Sequence, residues 1–329
     1  MSTGLSARAV GLAIVLAWVP SSARALPEAT TLLAGLGFTA DQIAQVEAGQ
    51  FVTAEIASSS PRELVASFAF EVSVPPAKLA DDLRAGLLVK VDSNISSSGV
   101  IEGAGSAADF AALSLTPDTE KRLAAYASGS SDLNLSPDEI AAFQKLTGAA
   151  AVEQQARAAL SARVQAYRAK GLAGIAPYAR GGRDLRSPAD ELRSASSASK
   201  GLEKHAPAAY ALLLGYPAGK PAGFQEVFRW TQFDAHGVPT IALTHSFFVP
   251  DGDALIGVQR QFYVNTGYNA EQAIAALVPT SSGTVVIYAN RTSTDQITGF
   301  GGSAKRTIGS HILESQLQSI FEKLRKIAK

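Results

Sequence analysis

The chain has no cysteine, which excludes disulfides, thiolate metal sites and cysteine nucleophiles. It has little charge. Charged residues are 18% of the 329, and Lys plus Arg equals Asp plus Glu at 29 each, so the formal net charge is zero. That balance gives no reason to expect nucleic acid or an anionic membrane surface as a partner. Histidine is sparse: His205, His236, His245 and His311 are scattered, and no H-E-x-x-H occurs. No G-x-S-x-G elbow is present, and the S-x-x-K match at Ser197–Lys200 stands without the companion motifs of its class. No repeat of fixed period is evident. The sequence therefore assigns no catalytic residue, no metal ligand and no cofactor.

The N-terminus carries a targeting pattern. Arg8 precedes an apolar run from Ala9 to Pro20, followed by Ser21-Ser-Ala-Arg-Ala25. A basic start, a short apolar stretch and an A-x-A-like site read as a signal peptide over residues 1–25. The run is well short of the ~20 residues a membrane span needs, and no later segment qualifies. The expected destination is periplasmic or secreted, with no integral membrane segment after cleavage. The apolar content of 47% is enough for a sizeable core.

The mature chain reads as one α+β domain over 26–329. Residues 26–103 hold helices and strands, 104–222 form an alanine-rich helical insertion, and 223–329 form an antiparallel meander plus a C-terminal helix. Thr39–Gln42, Ser136–Glu139 and Ser187–Asp190 carry helix-start signals. Leu64–Val74 alternates as a strand, and Pro75-Pro76 opens a helix. Phe51–Ile56, Leu87–Val91 and Gly99–Glu102 are expected as short strands, and Ala270–Leu277 as a short helix capped by Asn269. Ala149–Lys170 is expected as a long, partly exposed helix. The run Gly299–Gly302 before Lys305 and Arg306 is expected as a turn, with anion binding at the helix start as the lesser reading.

Strands at 224–233, 239–248 and 255–265 show period-2 alternation. One face collects Phe228, Trp230, Leu243, Phe247 and Phe262, and the other is polar, with Tyr263 among the polar set. Three polar residues interrupt the apolar face: Glu226, His245 and Arg260. Turns centred on Ala235-His236 and Asp251-Gly252 set Glu226 opposite His245 and Arg260 diagonal to it. A carboxylate, an imidazole and a guanidinium on a buried face must be paired or must face a wet cavity. The apolar stripe of the helix at 303–328 is expected to lie on this same face.

The order of strand Leu64–Val74, Pro-Pro helix start Pro75–Ala85, meander 224–292 and long terminal helix resembles the START/polyketide-cyclase-like, or helix-grip, superfamily. Phe70-Glu-Val-Ser-Val-Pro-Pro-Ala-Lys-Leu79 looks like its opening strand and first helix. The resemblance implies a sheet gripping the terminal helix, with a cavity between them for lipids or other apolar molecules. The expected function is binding of an apolar or amphipathic small molecule by Glu226, Phe228, Trp230, Leu243, His245, Phe247, Arg260 and Phe262. The alternatives are an enzyme built on Glu226, His245 and Arg260, or an envelope structural or interaction protein.

Overall fold

The computed structural model describes residues 28–125, 133–181, 183–235, 237–299 and 301–328. The expected signal peptide and His236 lie outside the described residues. Two short helices, α1 (Ala29–Gly35) and α2 (Ala40–Glu47), precede a two-residue strand β1 (Val52–Thr53) and the long strand β2 (Glu63–Val72). Helices α3 (Pro76–Arg84) and α4 (Leu87–Val91) then lead to β3 (Ile95–Val100). The helical region follows, with α5 (Pro117–Ala125), α6 (Pro137–Phe143) and α7 (Ala149–Lys170). A ribbon of β4 (Tyr178–Ala179) and β5 (Leu185–Arg186) separates these from α8 (Pro188–Ser197), α9 (Lys200–His205) and α10 (Pro207–Gly215). The meander β6 (Gln225–Asp234), β7 (Pro239–Asp251), β8 (Ala254–Val264), β9 (Ala270–Pro279) and β10 (Thr284–Ser293) ends in α11 (Gly302–Ile327).

Eight strands form one antiparallel sheet in the order β1-β2-β10-β9-β8-β7-β6-β3. The expected class therefore holds: an antiparallel sheet, a long C-terminal helix and a helical region of more than a hundred residues between β3 and β6. The helix starts behave as their sequences dictate. Thr39 and Gln42 form a reciprocal capping box, Ser136 and Glu139 form another, and Ser187 Oγ accepts the Asp190 amide at 3.2 Å.

Several local expectations fail. Residues 270–279 form strand β9, not a helix. Its alanines favour a helix, but β9 lies between β8 and β10 and its backbone pairs on both edges, which outweighs a propensity of tenths of a kcal/mol per residue. Residues 87–91 form helix α4, not a strand: Gly86, at φ 94°, restarts the helix after α3, and Leu87 and Val91 are buried beneath it. The strand expected at 51–56 shrinks to Val52–Thr53 at the sheet edge. Tyr263 moves from the polar face to the buried one. Leu243 pairs with Tyr263 while Thr244 pairs with Gln261, so Phe262 is an extra residue and two consecutive rings share a face.

The largest correction concerns α11. It does not cover the face of Phe228, Leu243 and Phe262. Phe321, Leu324 and Ala328 pack with Phe68, Phe70, Val286 and Tyr288, on the opposite side of the sheet. There α3 and α4 join it over Phe248, Ala273 and Leu277. The face that sequence reserved for α11 is taken by the helical region, through Leu160, Val164, Tyr167, Leu192, Leu212 and Leu213. Helix α7 buries Val152, Ala156, Leu160, Val164 and Tyr167 at intervals of three or four, a stripe hidden by the surrounding Ala, Gln and Arg. At the far end of this insertion face, α1 and α2 cover Ala69, Val278, Val285 and Ile287.

The core of α11 thus lies in its last two turns. Phe321→Ala is expected to cost about 3–5 kcal/mol by urea unfolding. Ile308, 60% exposed on the same helix, should tolerate alanine within about 0.5 kcal/mol. Equal effects of the two substitutions would contradict this docking.

Candidate functional site

Both meander hairpins turn one residue later than expected, so each pairing shifts by two. Every side chain keeps its face but changes neighbours. His245 sits opposite Phe228 and directly opposite Arg260, and Glu226 sits opposite Phe247. The three polar groups nonetheless join, through a residue that sequence did not single out. Glu226 Oε2 lies 2.9 Å from His245 Nε2. His245 Nδ1 lies 3.1 Å from the Tyr167 hydroxyl, and Arg260 Nη1 donates to that hydroxyl at 3.2 Å. This pattern fixes the protons. Arg260 can only donate, so Tyr167 gives its proton to Nδ1, and the imidazole donates from Nε2 to Glu226.

Arg260 is fully buried, and no carboxylate among the described residues touches it. Its other donors reach Gln272 Oε1 at 2.8 and 3.2 Å, Leu213 O at 2.7 Å and Ser196 Oγ at 3.3 Å. The balancing charge is Glu226, at the outer end of the chain, where Lys220 Nζ also donates to it at 2.7 Å. Burial alone would raise the Glu226 carboxyl, but hydrogen bonds from His245 and Lys220 outweigh it and hold it at about 2. Burial pushes His245 down to about 4, against the pull of Glu226, so the ring is neutral at pH 7. Burial likewise raises Tyr167.

All eight residues expected to bind a ligand lie on the face beneath the helical region. Rings fill the space around His245: Phe228 stacks on it at 4.2 Å, Tyr216 lies at 4.5 Å and Phe247 at 5.0 Å. Tyr167 stacks on Phe262 at 4.2 Å, and Leu243 is buried in the same cluster. Trp230 is separate in role, donating its indole N–H to Asp109 O at 2.8 Å. The expected cavity between this face and the terminal helix is therefore replaced by packed side chains, because α11 lies on the other side. The convergent Glu226, His245 and Arg260 serve to tie the helical region to the sheet.

A second polar junction lies at the sheet end. Asp295 accepts from Arg62 at 3.1 Å and from Arg180 at 3.0 Å and forms an ion pair with Arg186 at 2.9 Å, which joins the β4–β5 ribbon to the loop after β10. Beside it, a groove of about 310 Å³ is lined by Arg62, Thr298, Gly299, Gly302, Ser303 and Arg306. Arg291 pairs with buried Glu63 at 2.7 Å.

The α11 face is graded. Register alignment gives rows of side chains across it. The rows Phe70–Val286–Leu277–Leu255 and Phe68–Tyr288–Ala275–Gly257–Phe248 are apolar and lie under α3, α4 and the end of α11. The next row is Ala66–Asn290–Ala273–Gln259–Ser246, and the one beyond is Leu64–Thr292–Glu271–Gln261–Thr244–Arg229. Here polarity appears in the middle of the sheet. Ser246, Gln259, Gln261, Glu271 and Tyr268 are half-buried. Thr244, Ser246 and Gln259 make no side-chain hydrogen bond among the described residues, and their polar atoms are not sealed off. Ser246, Gln259, Gln261 and Glu271 thus keep contact with water at the centre of this face, where apolar packing stops.

Glu271 lies in the second of these rows, opposite Gln261. Gln261 Nε2 approaches it at 3.4 Å and Thr292 Oγ1 at 3.3 Å. Although half-buried, the carboxyl is surrounded by enough protein to lose most of its hydration. Burial lifts it to about 7, against hydrogen bonds from Asn290 and Thr292. Sequence missed this residue because the alternation Glu271, Ala273, Ala275, Leu277 against Gln272, Ile274, Ala276, Val278 carries no contrast between faces. No family model, curated protein or solved structure matches the chain.

The two sites predict opposite pH effects. His245, held below its ordinary 6.5, takes up its proton more readily in the unfolded chain, so its contribution is lost as pH falls from 6.5 towards 4. His245→Gln should remove on the order of 3 kcal/mol of that loss, so the stability gap to wild type narrows over this window. Glu271, raised from 4.5, contributes stability below pH 4.5 that is lost as pH rises through 7. Glu271→Gln should gain on wild type between pH 5 and 8 by on the order of 2 kcal/mol, reduced by partial solvent access. Urea midpoints across pH measure both, and pH-independent differences would contradict the assignments.

Proposed function

We propose that this protein is an exported, START/polyketide-cyclase-like binding protein that holds an amphipathic small molecule between its sheet and its terminal helix. The order of elements supports the resemblance: β2, the pair α3 and α4, β3, the five-strand meander and α11, with β2 and β10 adjacent in the sheet. The observation that carries the reading is the pair of half-buried side chains Ser246 and Gln259, without side-chain hydrogen bonds among the described residues, on the α11 side of central strands, where we place an open crevice. A soluble sheet gains by covering such a face with apolar packing, and here packing stops one row short. The apolar rows under α11 suit a hydrocarbon portion, and the row of Gln261 and Glu271 suits a polar head.

The insertion face enters this reading only as scaffold. Its Glu226, His245 and Arg260 are consumed by internal hydrogen bonds, which leaves the enzyme reading without a reacting group in contact with solvent apart from Glu226.

Native mass spectrometry of the purified protein should detect a retained small molecule. Gln259→Trp, which fills the crevice from its floor, should lose it while keeping the wild-type circular dichroism spectrum. Retention by Gln259→Trp, or a bound molecule displaced only by changes at Phe228 or Phe262, would refute the crevice as the site.

A further inference from the structure

The neutral balance of the whole chain hides an uneven distribution. Helix α11 carries five basic residues and two acidic ones, so the rest of the chain is correspondingly acidic. The lysines collect on its outer side. Lys305, Ile308, Ile312, Ser319, Lys323 and Lys326 recur at intervals of three, four or seven residues, which places them in one stripe, and every one of them is exposed. The stripe faces away from Phe321 and Leu324, which are buried against the sheet.

No acid lies within that stripe. Glu314, beside it, pairs with His311 at 3.5 Å. Glu322, one turn before Lys326, makes no ion pair with it and accepts from Gln318 at 2.9 Å. Lys305, Lys323 and Lys326 have no carboxylate or hydrogen-bond partner among the described residues. Between these cations stand Ile308 and Ile312, one turn apart and 60% and 47% exposed, and Ile327 follows at the end of the helix. Half of the large apolar side chains exposed among the described residues belong to this one helix. A single exposed isoleucine is ordinary, but these share one side of one helix with unpaired lysines. The groove at the first turn adds Arg62 and Arg306 at the same end.

Two coverings of this face differ in charge. A second copy of the chain, meeting it face to face about a two-fold axis, would set lysines against lysines. An anionic lipid surface matches both elements, with phosphates for the lysines and the boundary between headgroups and acyl chains for the isoleucines. We propose that α11 docks in the plane of an anionic phospholipid surface, with Ile308 and Ile312 entering the acyl boundary and Lys305, Lys323 and Lys326 among the phosphates. From Lys305 to Lys326 the stripe runs about 30 Å at roughly 1.5 Å per residue, long enough to meet several headgroups. The contact uses only the outer side of the helix. It therefore stands apart from the crevice reading and leaves the packing of Phe321 and Leu324 undisturbed.

Vesicle flotation of the purified protein tests this. Phosphatidylcholine vesicles carrying about 30% phosphatidylglycerol should bind it, and phosphatidylcholine alone should bind it at least tenfold more weakly. Raising salt from about 0.05 to about 0.5 M should release most of the bound protein. A lysine near such a surface is worth roughly fivefold in affinity, so Lys323→Gln with Lys326→Gln should weaken binding by about 25-fold. Ile308→Ser with Ile312→Ser should weaken it by roughly tenfold or more. All four positions are exposed, so both double variants should keep the wild-type circular dichroism spectrum. Equal binding to the two kinds of vesicle, or binding to neither, would overturn the proposal, as would binding that survives both double variants. Self-association in sedimentation that Ile308→Ser with Ile312→Ser abolishes would assign the face to a second copy instead.

Discussion

The pairing of β10 between β2 and β9 governs the rest of the architecture. Ten residues of β10 are matched on each edge, and the contact with β2 closes a loop of more than two hundred residues, with Phe68 opposite Tyr288. Closing such a loop costs chain entropy that only a long, fully satisfied ladder recovers. Once formed, it fixes where the chain leaves β10, and so which side α11 can reach. Gly309 comes close to Leu64, and Ser310 Oγ accepts the Val65 amide at 3.2 Å. Strand β1 pairs with only two residues of β2, so the helix also shields part of an edge that would otherwise invite another strand.

From that constraint the two faces diverge. The insertion face is covered from end to end by helices, and its charges are neutralised internally through a chain from Lys220 and Glu226 to Arg260. Such a chain adds little net stability over apolar packing, but losing one member strands the others in a medium that penalises them. The α11 face is covered only in part. Helix α11 commits its last turns to the core and leaves Ile308 and Ile312 exposed, while α3 and α4 cover the rows of Leu277 and Phe248. In the polar rows beside them, Ser246, Gln259, Gln261 and Glu271 stay in partial contact with water.

Most elements were legible in the sequence because local signals and long-range demands agreed. The capping residues at Thr39, Ser136 and Ser187, the alternation of β6 to β8 and the apolar stripe of α11 all fall in this group. The meeting of Glu226, His245 and Arg260 was legible too, since a shift of two residues preserves faces. The side on which α11 docks was not. An apolar stripe says that a helix needs a partner, and two apolar faces were on offer. β9 was lost to its alanines, and with it Glu271. Tyr167 was hidden in a helix whose stripe is narrow among Ala, Gln and Arg, and Tyr263 changed face through a bulge that pattern alone does not announce.

The helical region has one further property. Phe228, Trp230, Leu243, Phe247, Val258 and Phe262 share a single core with Leu160, Val164, Tyr167, Leu192 and Leu213. Sheet and helices therefore own this interior jointly, and neither side is finished without the other. Trimming residues 104–222 to obtain a minimal version of the domain would not yield a smaller protein of the same kind. It would strip one half of a shared interior, uncovering rings and an unneutralised guanidinium at once, and the remnant would be driven to self-associate through its bared surface.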